Sequence, residues 1–206
     1  FDISISREEA RKKLCLDANK TTVVYTGHLY DWKGADLLAE ASRDLPPDVR
    51  IYIVGGTFED VARFRNKFFS PNLFMMGYRP PAEIPLWLKA ADLLVLPNKA
   101  NKKISSHYTS PLKLFEYMAS GTPMVVSDLP ALREVVTENE VIFFEPDNYK
   151  NLVKVIKTVL AQPNLYLHRG SNAKISVEKY TWSKRAEELI EMLSASQKIV
   201  IETKTT

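Results

Sequence analysis

Two lysines and a glutamate, carried by two short segments, are the residues best placed for chemistry. Ser110-Pro111-Leu112-Lys113-Leu114-Phe115-Glu116 reads as the start of a helix. Ser110 is a good N-cap, Pro111 a good first helical residue, and Gly121 closes the far end. The free N–H groups of a first helical turn attract anions. Lys113 and Glu116 lie three apart and share one face. Main-chain amides and Lys113 would hold phosphates while Glu116 accepts from the hydroxyls of a ribose, which suits a nucleoside diphosphate. The same spacing also describes a plain surface ion pair. The second segment is Gly27-His28-Leu29-Tyr30-Asp31-Trp32-Lys33-Gly34. Gly27 lets a ligand approach the backbone closely. Lys33 precedes a helix start, where a phosphate would sit, and His28 can donate to an anion with a pH-dependent charge. The alternative here is a packed Trp32 beside a solvated Lys33.

These segments need a scaffold, and the hydrophobic pattern describes one. Short apolar runs at 22–26, 50–54, 72–76, 92–96, 123–126 and 142–144 read as strands, most of them stopped by glycine or proline. Helical stretches fall between them: a capped basic helix from Ser6 to about Leu16, then 34–42, one from Thr57, 83–90 and 111–119, with three more running to about Ile199. Alternating strands and helices of these lengths predict an α/β, Rossmann-like, doubly wound parallel sheet of about six strands. Ligands of such sheets bind beyond the carboxyl ends of the strands. The search therefore narrows to 27–33, Gly55-Gly56, Gly77-Tyr78-Arg79, 97–110 and Ser127-Asp128. The stretch 98–109 has no periodicity and three lysines, and reads as a loop that orders over a bound ligand.

Composition sets the outer bounds. The chain has 206 residues, 45% hydrophobic and 26% charged, which excludes disorder, collagen repeats and coiled coils. It reads as one domain, 1–206, with a tail from about 200. No apolar run approaches the ~20 residues of a membrane-spanning helix. Cys15 is the single cysteine, so no intrachain disulfide is possible, and it points to a reducing compartment. A net charge of +3 does not argue for nucleic acid but favours an anion site. The motifs GxGxxG, GxxxxGK[ST], HExxH and GxSxG are all absent, and three scattered histidines imply no metal site. Phe1-Asp2-Ile3 has neither an initiating methionine nor a signal peptide, so the expectation is a piece of a longer protein.

Several ordered motifs then resemble one family. Val24-Tyr25-Thr26-Gly27-His28-Leu29-Tyr30-Asp31-Trp32-Lys33-Gly34 looks like the phosphate loop of retaining group 1 glycosyltransferases. Ala91 to Pro97 and Lys113 to Asp128 resemble that family's donor-site strand and its signature helix and strand, and Glu134-Val135-Val136 and Glu145-Pro146-Asp147 fall in family order. The resemblance covers about residues 20–190. It implies the C-terminal, sugar-nucleotide-binding half of a GT-B fold, with an acceptor domain elsewhere in the parent. It implies a UDP- or GDP-sugar donor, transfer with retention, no metal, and a carbohydrate or lipid-linked acceptor. A cytoplasmic setting follows, at the inner membrane face if the acceptor is lipid-linked.

Carried over by position, His28 and Lys33 face the diphosphate, Glu116 the ribose, and the backbone around Gly55, Tyr78 and Arg79 the base. Lys33, Lys113 and Glu116 become the catalytic set. Gly27, Tyr108, Ser110, Pro111 and Leu112 complete the donor site. Three departures stand out. Tyr108 occupies the place of the family's first glutamate, so that contact is not carried over. His28 stands where arginine is commonest. Lys113 stands where many members are apolar, a version that resembles a bacterial subgroup of polysaccharide assembly. Competing readings are an epimerase or phosphorylase of the same fold, and a non-catalytic domain that binds a nucleotide-sugar or a protein.

Overall fold

The computed structural model describes residues 3–101 and 112–202. It contains α1 (Arg7–Lys13), β1 (Thr21–Thr26), α2 (Ala35–Ala41), β2 (Val49–Val54), α3 (Phe58–Lys67), β3 (Leu73–Gly77), α4 (Ile84–Ala90) and β4 (Leu93–Leu96). The second half contains α5 (Leu112–Ser120), β5 (Met124–Ser127), α6 (Pro130–Arg133), β6 (Ile142–Phe144), α7 (Tyr149–Ala161), α8 (Leu167–Ser176) and α9 (Trp182–Glu202). The strands form one parallel sheet in the order β3-β2-β1-β4-β5-β6. Chain direction across the sheet reverses between β1 and β4, so the crevice of a doubly wound sheet opens there.

Both faces are covered, which is why the strands read as continuous apolar runs rather than alternating ones. Along β1, Val23 and Tyr25 enter the cluster shared with α2, α3 and α7, while Val24 enters the one shared with α4, α5 and α8. Leu38, Ile51, Leu93 and Leu114 are fully buried, each contributing ~1.5–3 kcal/mol by burial. The amino-terminal edge is closed by charge. Arg7 and Arg11 of α1 pair with Asp92, which also accepts from the Thr22 N–H at 2.7 Å.

The expected elements are present, their bounds shifted by at most three residues. The first helix stops at Lys13 rather than near Leu16: Cys15 turns left-handed (φ 54°), and the turn lets Leu14 and Leu16 pack on the second cluster. The short α6 had no periodic signal in four residues. Of the expected 98–109 loop, 98–101 are described and 102–109 lie outside the described residues.

Candidate functional site

The site is built where the β1 and β4 loops meet. Gly34, the N-cap of α2, has φ 69°, and a Cβ there would lie 1.7 Å from the Pro97 carbonyl oxygen. Only glycine lets α2 start this close to the end of β4. The contact is reinforced by Lys99. Its N–H donates to the Trp32 carbonyl at 3.0 Å, and its ammonium bridges Asp31 at 2.8 Å and Asp36 at 2.7 Å. The loop carrying Lys33 is thereby held on both sides. The Lys33 ammonium sits 3.9 Å from the Trp32 ring centroid, and burial lowers its pKa. Trp32 and Lys33 are both half-buried, so packing and charge occur together here rather than as alternatives.

Lys113 reaches the same place from α5. Its Cε and Nζ lie 2.7 Å from where a Cβ on Gly27 would be, so the absence of a side chain at Gly27, whose φ is 126°, makes room for the lysine. The ammonium stands 3.8 Å from the Tyr25 ring centroid, is closed off from solvent, and has no hydrogen-bond partner among the described residues. It makes no ion pair with Glu116. Burial pushes its pKa well below the usual lysine value, the positive charge of Lys33 pushes it further, and Glu116 only partly opposes this. Glu116 is half-buried, and burial raises its pKa against the pull of Lys113. Two cations thus converge with little compensating charge, an arrangement that disfavours their protonated forms until an anion arrives.

α5 is held by Tyr117, one residue beyond Glu116. Its buried hydroxyl accepts from the Thr26 N–H at 2.8 Å and from the Thr26 Oγ1 at 3.4 Å, tying the helix to the last residue of β1. Tyr25 does the same within its own loop, donating to the His28 carbonyl at 2.7 Å. Tyr25, Tyr117 and Lys99 lie in segments that the sequence marks out, but nothing in the sequence singles them out within those segments. Buried strand and helix tyrosines read as core, and Lys99 was one lysine among three.

The remaining candidates spread along the carboxyl edge. Gly55 donates to the Gly77 carbonyl at 2.7 Å, and Gly27 to the Val54 carbonyl at 2.8 Å, so the β1, β2 and β3 loops lie side by side. Tyr78 is 71% exposed, and Arg79 pairs with Glu83 at 3.3 Å. His28 is exposed and stacks on Tyr30 with ring centroids 5.1 Å apart. Leu112, also exposed, is the first residue of α5. Tyr108, Ser110 and Pro111 lie outside the described residues. Asp128 is held by Arg133 instead of joining the lysines. Among the described residues, no group of three or more His, Cys, Asp or Glu side chains could hold a metal ion.

Two lysines and a carboxylate thus come together at the strand-order reversal of a doubly wound α/β sheet. Comparison with known proteins narrows the class. Residues 6–176 match the family of glycosyl transferases group 1, and the chain belongs to that family. It is 26% identical to the D-inositol 3-phosphate glycosyltransferase of Gordonia bronchialis over 91% of this chain and 43% of that protein. It is 27% identical to a glycosyltransferase of Methanocaldococcus jannaschii over 82% of this chain and 44% of that one. The chain spans about half the length of these relatives. Among solved structures, Anabaena HepE in complex with UDP and glucose superposes with a TM-score of 0.77 at 22% identity, covering 92% of this chain and 52% of that one. The C-terminal domain of a group 1 glycosyl transferase, LpcC of Francisella tularensis, gives 0.71 at 18% identity, covering 88% and 96%. The fold is thus the Rossmann-like α/β fold of these GT-B enzymes.

Proposed function

We propose that this chain is the donor-binding, C-terminal half of a retaining glycosyltransferase. In this reading it holds a UDP- or GDP-sugar, and a partner domain of the parent protein presents a carbohydrate or lipid-linked acceptor. The observation that carries the reading is the pair of lysines, Lys33 and Lys113, converging at the β1–β4 crevice, where Glu116 offsets the charge on Lys113 only in part. Transfer of a sugar leaves negative charge on the departing diphosphate. Preorganised cations aimed at it lower the barrier without a metal. Glu116, one turn along α5 from Lys113, takes the ribose hydroxyls. The UDP complexes of HepE favour UDP over GDP as the first nucleotide to try. Localisation in the cytoplasm belongs to the same proposal; no described helix is long and apolar enough to cross a membrane.

The test is calorimetric titration of the chain with UDP, GDP, ADP and dTDP at two salt concentrations. One nucleotide should bind, more weakly at high salt. Lys33→Ala should remove one charge-assisted contact, ~1.5–3 kcal/mol, and so weaken binding at least about tenfold. Glu116→Gln should weaken it too, with little change in melting temperature. Affinity that both variants leave intact would remove the lysine–glutamate site from the reading.

A further inference from the structure

The Lys113 amine is poorly placed to carry a charge. An ammonium presents N–H donors and no acceptor. Among the described residues no acceptor meets it, and the nitrogen is closed off from bulk solvent. The groups around it come from three elements. From β1, the Tyr25 ring lies 3.8 Å from the amine at its centroid, and the Tyr25 hydroxyl is taken by the His28 carbonyl. From the β1–α2 loop comes Lys33, a second cation. The carboxylates nearest that loop, Asp31 and Asp36, are met by Lys99. From α5 come Tyr117, whose hydroxyl accepts from the Thr26 N–H, and Glu116.

These groups do not amount to a counter-charge. Burial raises the pKa of both tyrosines, so neither is an anion near neutrality. A ring face attracts an ammonium but gives its N–H groups no lone pair. Glu116 opposes burial and Lys33 only in part. Without an anion nearby, the setting suits the neutral amine. A diphosphate held at Lys33 reverses the balance, because negative charge beside the amine favours the ammonium.

We propose that a nucleotide-sugar binds here together with a proton, which passes from solvent to the lone pair of Lys113 Nζ; this rests on the donor reading above. No bond of the donor breaks in this step. Lys33 supplies a standing charge and Lys113 a charge made on binding. Donor affinity then falls as pH rises, by up to about tenfold per pH unit where a full proton is taken up.

Calorimetry at about pH 8 in HEPES and in Tris, whose ionisation heats differ, counts the protons. The probes are UDP-glucose, GDP-mannose, ADP-glucose and dTDP-glucose. Their diphosphates are esterified at both ends, whereas a free terminal phosphate titrates at about pH 6 and would add protons of its own. The parent should take up close to one proton per donor bound. Lys113→Arg keeps a cation that does not lose its proton, so uptake should fall by at least half. Carbon-13 NMR of ε-labelled lysines reads the amine directly. The signal missing from Lys113→Met should lie at its neutral position without donor and at its charged position with it. Binding with the same heat in both buffers, uptake that Lys113→Arg leaves unchanged, or an amine already charged without donor would each overturn the proposal and leave the donor reading standing. No heat from any of the four probes would overturn it as well, and the free-nucleotide titration above would then decide the donor reading alone.

Discussion

At the scale of single residues, Lys113 pairs an ionisable group with a buried, weakly compensated setting. Its amine is buried over the Tyr25 ring, next to Lys33, without a hydrogen bond from the described residues. The folded chain therefore holds it below the usual 10.5, whereas the unfolded chain does not. Between the lowered value and 10.5 the unfolded state binds a proton that the folded state lacks, so stability rises with pH across that window. Lys113→Met deletes the group. The variant should melt higher than the parent at about pH 7, with the difference closing towards about pH 10. Lys33, lowered by burial as well, leaves a residual slope in the variant. The same variant should bind UDP more weakly. Equal pH profiles for parent and variant would mean that the amine is solvated in solution. The types and spacing of Lys33, Lys113 and Glu116 were legible in the sequence; their convergence was not. Spacing places Lys113 and Glu116 on one helical face, but it says nothing across the 80-residue separation of Lys33 and Lys113. That gap is closed by β1 and β4 lying side by side.

At the scale of elements, the site depends on how firmly α5 and the β1–α2 loop are pinned to the sheet. Tyr117 is the pin for α5, because its hydroxyl satisfies the buried Thr26 N–H. Tyr117→Phe keeps the ring and leaves that donor without a partner. The cost should be ~1–3 kcal/mol. In a domain of this size that lowers the melting temperature by roughly 2–4 °C per kcal/mol. Nucleotide affinity should fall as well, since Glu116 precedes Tyr117 directly. A variant as stable as the parent would show that water replaces the hydroxyl. Element positions were largely readable from apolar runs and their stops, as with Gly55 after β2 and Pro97 after β4. Their pinning was not, because a tyrosine that holds a neighbouring strand's N–H has the same local pattern as one that only fills space.

At the scale of the whole molecule, α9 differs from every other long helix described. Trp182, Ala186, Leu189 and Leu193 repeat at helical spacing and form one stripe, yet Trp182 is 80% and Leu193 65% exposed. Apolar side chains as exposed as Trp182 and Leu193 contribute little to the fold. Trp182→Gln and Leu193→Gln should each change stability by under about 0.5 kcal/mol. By contrast, Leu132→Ala, at a fully buried position, should cost ~2–5 kcal/mol. Chemical denaturation of the three variants checks the contrast, and a large loss at Trp182 would mean that the stripe is packed in solution. The sheet order belongs to this scale too. Six strands read from the sequence allow many orders, and only the folded chain places β4 beside β1.

The sequence by itself determined the class of fold, the approximate bounds of its strands and helices, the segments at the ligand edge, and the family to which the motifs point. Each of these rests on local information: periodicity, caps, breakers and contiguous motifs. The tertiary structure decided what depends on contacts far apart in the chain. It set Lys113 over Tyr25, with room made by Gly27, joined Gly34 to Pro97, and bridged Asp31 and Asp36 through Lys99. Burial and proximity, not residue type, give those side chains their altered charge and capacity to bind.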